Sequence, residues 1–448
     1  MAATASAPTA SGEVVLEARG VSKYYGDTHQ RVLVIDNVSV ALRAGEIVAL
    51  LGPSGSGKST MLRLLSGLLP PSSGAVYAHG APLTGTNTQV AIVFQSFALY
   101  PWLTVQENVE LGLLERNLPA AERRDRALKA IDMIGLDGFE EAFPRELSGG
   151  MRQRVGLARA LVVEPEVLFL DEAFSALDVL VAENLRRELL RLWRTHSVPI
   201  KAILMVTHNI DEAVTMADRL LVFGANPGRV RVELPGLPVE ERGPKSDARA
   251  KLVDTVYRIM TNPQLDATSL VPGAEPQQPP APPAPYQTLP HVSPDELAGF
   301  LERLHDQGGR EDLYAAARQL QLEVDELLPL AEAADMLDFA DIDEGDAVLT
   351  TAGQRFVAAD TLARKQIFAR EALDRVAIIG QIVRELGETS DGALKDSRYL
   401  IALENTFSEN EARRQLDSAI DWGRYAELFA YDDETGELYL EDVEGDGD

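Results

Sequence analysis

The sequence predicts an open-sheet α/β domain followed by a mainly helical second domain. Three observations carry that expectation. Apolar runs of strand length alternate with helical patterns up to about residue 260. The run IVALL passes through GPSGSGKST into the helix-like MLRLLSGLL. A Pro-rich stretch then separates this part from an acidic C-terminal region with helical periodicity of its own.

In the first part, residues 14–18 and 32–42 read as strands of an edge sheet, and 47–51 as the strand feeding the Gly-rich turn. Residues 90–94, 167–170 and 202–207 read as further buried strands. The turn itself, Gly52, Pro53, Ser54, Gly55, Ser56, Gly57, Lys58, Ser59 and Thr60, has the spacing of a phosphate-binding loop. Glycines let the backbone aim its N–H groups inward without Cβ interference, and the helix starting near Lys58 adds its positive end to the same anion. Lys58 can reach the β- and γ-phosphates, and Ser59 can hold Mg2+. The chain is therefore expected to bind a nucleoside triphosphate.

The last three strands end on Gln95, on Asp171 with Glu172, and on His208. Ligands of an open α/β sheet sit beyond the carboxyl ends of its strands, so these residues are candidates to converge on the nucleotide. Singly, each is more often a turn residue. Within VLFLDEAFSALD a buried strand delivers two successive acids. A buried carboxylate is costly unless paired, and a Mg2+-nucleotide supplies the pairing for Asp171. Glu172 is then free to polarise the attacking water, a contribution worth about 10² to 10⁴ in rate. His208 can contact the γ-phosphate or orient that water. LSGG, with Ser148, Gly149 and Gly150, sets a hydroxyl and two unshielded N–H groups before the helix-like MRQRVGLARALV, a second anion site. One chain thus carries two half-sites, and two copies meeting head to tail would sandwich the nucleotide.

Composition narrows the class. At 448 residues the chain has room for two or three domains, and no window approaches the roughly 18 to 20 apolar residues of a membrane span. The start, residues 1–12, lacks the basic and apolar regions of an export signal and reads as a disordered tail. With no cysteine there is no disulfide framework and no thiolate metal site, which fits a reducing cytoplasm. The net charge of -28 is uneven: residues 291–448 hold 14 Lys+Arg against 38 Asp+Glu. The preceding residues are nearly balanced.

Taken in order, the phosphate loop, VFQ ending in Gln95, LSGGMRQR, LFLDEA, SALD ending in Asp178, and VTH ending in His208 resemble the motif set of an ATP-binding cassette (ABC) subunit of a membrane transporter. Only that class is expected to carry all six in this order. The resemblance covers residues 13 to about 235 and implies a P-loop NTPase fold. It further implies an antiparallel β subdomain and a helical subdomain at about 96–160, inside a domain spanning 13–262. ATP and Mg2+ are the implied cofactors, with Ser59, Gln95 and Asp171 around the metal and Gln95 also sensing the water. Ser148, Gly149 and Gly150 become the signature that touches the nucleotide of the opposite subunit, and Asp178 joins the nucleotide-binding set. Tyr25 matches the aromatic that stacks on adenine, with Tyr24 beside it as the alternative.

Implied partners are integral membrane permease subunits, a second ATPase subunit that is a copy or close relative, and, indirectly, a substrate-binding protein. Phe97, Leu99, Tyr100, Pro101 and Trp102, beside the Gln95 loop, are expected to form the permease-docking surface. The wording LVFGANPGRVRVELPGLP is similar to ATPases of nitrate, sulfonate, taurine and bicarbonate importers, which sit on the cytoplasmic face of the inner membrane. A soluble ABC-type ATPase without a permease is the competing reading. Asn209 stands after the histidine where relatives often have Asp.

The stretch 263–290 reads as a semi-rigid linker because its prolines favour extended geometry. In 291–440, residues 294–305, 313–320 and 324–337 read as short helices, FADIDEGDAVLTTAGQRFV as a hairpin entering a helix, and 364–386 and 409–429 as longer helices. Pro329 is awkward inside one of them and predicts a kink or two shorter helices. Three helices and a hairpin suggest a winged-helix-like unit, similar to the domain appended to some ATPases of this kind. The helix that would read DNA carries five acids and neither Lys nor Arg, so nucleic acid is excluded as a partner. The acidic end, 441–448, reads as a disordered tail.

Overall fold

The computed structural model describes residues 12–26, 31–53, 55–175, 177–195, 197–225, 227–261, 286–320, 324–343, 346–389, 392–404, 406–407 and 409–440. These form two units, one built chiefly on Ile35–Val253 and the other chiefly on the residues from 286 onward. Most of the 263–290 stretch and both terminal tails lie outside the described residues.

The first unit runs β1 (Val14–Tyr25) and β2 (Val32–Arg43), apart from the end of β1 and start of β2 within Tyr24–Val34, then β3 (Glu46–Leu51), α1 (Lys58–Leu65), β4 (Ser73–Ala78), β5 (Ala81–Pro82) and β6 (Val90–Val93). It continues with α2 (Val105–Glu110), α3 (Ala120–Met133), α4 (Gly149–Leu161), β7 (Val167–Asp171), α5 (Val179–Arg194), β8 (Ala202–Thr207), α6 (Ile210–Met216), β9 (Arg219–Gly224) and β10 (Arg229–Pro235), and then α7 (Asp247–Thr261), whose residues from Asp254 onward group with the second unit. The central sheet has the order β10-β9-β3-β8-β7-β6, and β9, β3, β8, β7 and β6 are parallel. Every residue of β3 and β8 is buried, which is why 47–51 and 202–206 read as unbroken apolar runs, with Glu46 and Thr207 the buried polar ends. A second sheet, β2-β1-β4-β5, supplies the antiparallel subdomain, and α2, α3 and α4 supply the helical one. The first strand outruns its expected end by seven residues' worth of chain, reaching Tyr25, with an irregular register against β4 between Arg19 and Ser22.

The second unit runs α8 (Pro294–Asp306), β11 (Arg310–Asp312), α9 (Leu313–Leu320), α10 (Val324–Met336), β12 (Ala340–Asp343), β13 (Asp346–Leu349) and α11 (Thr351–Ala358). The sheet order β11-β13-β12 completes a helix, strand, two helices and hairpin arrangement of winged-helix type. α10 runs on through Pro329 as one helix. Where one long helix was expected at 364–386, the chain forms α12 (Thr361–Arg375) and α13 (Ala377–Glu388). Val376 breaks them apart with extended backbone (φ -103, ψ 97) and is itself buried, so tertiary packing sets the break at a position with no Gly or Pro beside it, Gly380 lying one turn further on inside α13. β14 (Ala393–Lys395), α14 (Ser397–Glu404), α15 (Glu409–Tyr425), β15 (Ala430–Asp432) and β16 (Glu437–Tyr439) complete the unit, with a small sheet β14-β16-β15. Phe368 lies edge-on to Trp422 and Tyr425 at 5.8 and 5.1 Å, and Phe339 stacks on Phe356 at 4.8 Å, forming the aromatic centre of this core.

Residues 286–290, the last of the stretch read as linker, pack on the second unit. Gln415 of α15 grips Leu289 at both backbone groups, accepting from its N–H (2.5 Å) and donating to its carbonyl (3.0 Å).

Candidate nucleotide-binding site

Three parallel strands stop level with one another. Leu51 of β3 pairs with Thr207 of β8, and Asp171 of β7 pairs with Val206. The residues leaving those strands, Gly52, Glu172 and His208, therefore emerge along one edge of the sheet.

At the first of these exits, Gly55 (φ 76) and Gly57 (φ 89) take left-handed backbone that a side chain would strain. Gly57 is the N-cap of α1 and has no side chain with which to cap it. Lys58 is buried and its Nζ donates to the carbonyls of Gly52 (2.6 Å) and Pro53 (3.0 Å) inside the loop. Ser56 Oγ is buried with no hydrogen-bond partner among the described residues, an orphan that a polar ligand would satisfy. Thr60 lies in the first turn of α1, and Ser54 falls outside the described residues.

Ser59 Oγ donates to Asp171 Oδ1 at 3.2 Å, joining the loop to β7. Burial pushes the Asp171 carboxyl up, against the Ser59 hydrogen bond and with the neighbouring Glu172 charge adding to the rise. Glu172 turns away with a left-handed backbone (φ 48), and its Oε1 lies 3.6 Å from His208 Nδ1. That pairing with His208 holds the Glu172 carboxyl below its ordinary range despite burial. Gln95 Nε2 donates to Ser175 Oγ (3.3 Å), and Ser175 Oγ donates to the Glu172 carbonyl (2.9 Å). Ser59, Asp171, Glu172, His208 and Gln95 are thus one connected group. Ser175 was visible only as part of SALD; its bridging place follows from the tight turn after Glu172, which no local pattern of residues marks.

Ser148, Gly149, Gly150 and Asp178 sit elsewhere in the first unit, while Tyr24 and Tyr25 group with the second. Ser148 is the N-cap of α4, its Oγ accepting from Met151 N (3.3 Å), and Gly149 and Gly150 open that helix. Asp178 caps α5 in the same way, accepting from Val181 N at 3.1 Å. Gln153 of α4 donates to the Ala173 carbonyl, fixing α4 to the loop that leaves β7. Tyr25 closes β1 and is half-exposed beside the more exposed Tyr24. Asn209 caps α6 by accepting from Glu212 N at 2.8 Å, which explains how Asn serves where Asp is common.

Beyond Gln95, Phe97 and Ala98 both hold left-handed backbone (φ 59 and 47), and Arg159 of α4 donates to both their carbonyls, at 2.9 and 2.6 Å. Trp102 is 69% exposed, with its ring 5.3 Å from that of half-exposed Tyr100. Buried Asn108 accepts from Tyr100 N (2.9 Å) and donates to the carbonyls of Tyr100, Leu103 and Thr104. Neither Arg159 nor Asn108 was legible as a support, since nothing in a helix's sequence marks which loop it holds.

The ABC transporter family profile matches residues 35–175, and the C-terminal AAA-associated domain matches 314–432. The nitrate import ATP-binding protein NrtD of Synechocystis sp. is 38% identical over 269 residues, 59% of this chain and 97% of the relative. The taurine import ATP-binding protein TauB of Burkholderia pseudomallei is 44% identical over 213 residues, 48% of this chain and 81% of the relative. The solved ATP-binding cassette MJ0796, a dimer in a post-hydrolysis state bound to ADP and Pi, is 33% identical, spanning 50% of this chain and 99% of that one with a TM-score of 0.45. Among the described residues no helix is long and apolar enough to cross a membrane. With a phosphate loop, an acid pair and a histidine gathered at one sheet edge, and similarity running through nearly the whole of a nitrate import ATPase, the chain belongs to the ABC transporter ATPases and carries a C-terminal AAA-associated domain.

Proposed function

We propose that this ATPase powers the import of a small anion or organosulfonate, of the nitrate, sulfonate, taurine or bicarbonate class, through a partner membrane permease. The observation that carries the chemical part is the connected run Ser59–Asp171–Glu172–His208 at the mouth of the phosphate loop. The names of the nitrate and taurine relatives support the cargo class.

In this reading Gly52 to Thr60 cradle the phosphates, and Lys58 exchanges its two loop carbonyls for β- and γ-phosphate oxygens. Glu172 is the general base: held ionised by its pairing with His208, it can take a proton from water. His208 contacts the γ-phosphate, and Gln95, tied to the base through Ser175, orients the water. Tyr25 stacks on adenine. Ser148, Gly149, Gly150 and Asp178 complete the site of a second ATPase subunit, so closure depends on γ-phosphate and hydrolysis releases it.

The donor set suits Mg2+: hard oxygens from Ser59 and Asp171, with the Gln95 amide nearby, and a buried carboxyl whose raised pKa a divalent cation would reverse. When bound, the metal neutralises phosphate charge as a Lewis acid. Tyr100 and Trp102, exposed on a turn held rigid by Asn108, fit a docking surface for a permease helix.

The test is purification of the tagged chain from detergent-solubilised membranes, with uptake measured after reconstitution of the complex into vesicles. The proposal expects an integral permease to accompany the chain, with ATP-dependent uptake of a labelled oxyanion or sulfonate. Recovery of active ATPase with no membrane-spanning subunit would favour the soluble reading and overturn this one.

A further inference from the structure

Behind His208 lies a buried carboxylate that the hydrolytic scheme does not use. Glu212, in the first turn of α6, is 5% exposed and holds three neighbours. Thr207 Oγ1 donates to its Oε2 at 2.5 Å, Arg186 Nη1 of α5 lies 3.4 Å from its Oε1, and its own N–H donates to Asn209 Oδ1. Asn209 N in turn donates to Thr207 Oγ1 at 3.1 Å. Thr207, Asn209 and Glu212 therefore close a ring of hydrogen bonds around the single residue between the first two, His208.

We propose that Glu212 is a positioning residue for hydrolysis, holding the His208 backbone in register with Glu172 and tying it through Arg186 to α5. The inference rests on the reading of His208 as the γ-phosphate contact. Burying a carboxylate here is costly, and burial does push the Glu212 carboxyl up, with Thr207 and Arg186 acting against the rise. A ring on both sides of His208 leaves its backbone little freedom, while the 3.6 Å approach of its Nδ1 to Glu172 demands placement to within a fraction of an ångström. Arg186 gives the ring a second anchor on α5, the helix whose N-cap is Asp178.

The test is a cycle in the full chain of Glu212→Ala, His208→Ala and the double variant, with kcat, KM for ATP and thermal midpoint measured for each. A positioning role predicts that Glu212→Ala lowers kcat about 10-fold or more with KM for ATP within about 3-fold, and costs less than about 2-fold once His208 is already Ala. Equal losses in both backgrounds would overturn the inference and make Glu212 merely structural. A His208→Ala variant with near-normal kcat would overturn the underlying reading instead, which keeps the two failures apart. If Glu212→Ala does not fold, Glu212→Gln and Arg186→Met, the latter on a partly exposed side chain, replace it in the same cycle, and the same two outcomes support or overturn the inference.

Discussion

Asn108→Ala should loosen the Tyr100–Thr104 turn without touching hydrolysis, and its magnitude can be worked from the contacts. Asn108 makes four hydrogen bonds to backbone groups of the turn. Two of those groups keep other partners: Thr104 O still accepts from Asn108 N, and Tyr100 O still accepts from Leu103 N. The groups that lose their side-chain partner outright are Tyr100 N and Leu103 O. At about 1 kcal/mol net for each bond lost in this part-exposed turn, local opening becomes easier by about 2 kcal/mol. Since 1.4 kcal/mol is a factor of about ten, the Tyr100 amide should exchange about 30-fold faster in native-state hydrogen exchange. ATP turnover of the isolated chain should stay within about twofold, because none of these contacts reaches Asp171, Glu172 or His208. Exchange at Tyr100 unchanged within about threefold would refute the claim that Asn108 holds this turn.

Two further outcomes follow from packing and charge. At Gly353, in α11, an added Cβ would lie 1.9 Å from the Phe339 carbonyl oxygen, so Gly353→Ala should destabilise the second unit by about 2 kcal/mol or more, read as a lower thermal midpoint with ATP turnover kept. Glu166 pairs with Lys201 at 2.9 Å and with His79 at 2.8 Å, and these partners, Lys201 foremost, hold its carboxyl below the ordinary range. A depressed folded pKa means that stability is present above the unfolded value of about 4.3 and lost as pH falls through the folded one. Glu166→Gln should therefore cost about 1 kcal/mol or less at pH 7, discounted for partial exposure, and progressively less below about pH 4; a constant gap across that range would contradict the pairing.

The parts of this protein written locally were legible in sequence. Gly55 and Gly57 announce their backbone because only glycine takes it cheaply, and the buried β3, β7 and β8 announce themselves as apolar runs ending on chemistry. What escaped was set by distant partners. The Val376 break has no Gly or Pro at or beside it; burial of Val376 between two packed helices imposes it. β14, β15 and β16 are three residues each, too short to show alternation. Ser175, Glu212, Arg159 and Asn108 serve through positions that only the fold brings together. The acidic balance of the C-terminal region was plain, but the grip of Gln415 on Leu289 needed α15 in place beside the chain.

The most direct measurement of the central claim is single-turnover hydrolysis by Glu172→Gln beside Lys58→Ala, with bound nucleotide and oligomeric state followed together. If Glu172 is the base and Lys58 the phosphate ligand, Glu172→Gln binds ATP, turns over about 100-fold or more slowly and accumulates as an ATP-bound dimer, while Lys58→Ala fails to bind ATP tightly. A Glu172→Gln protein that hydrolyses ATP at a near-normal rate would contradict the account.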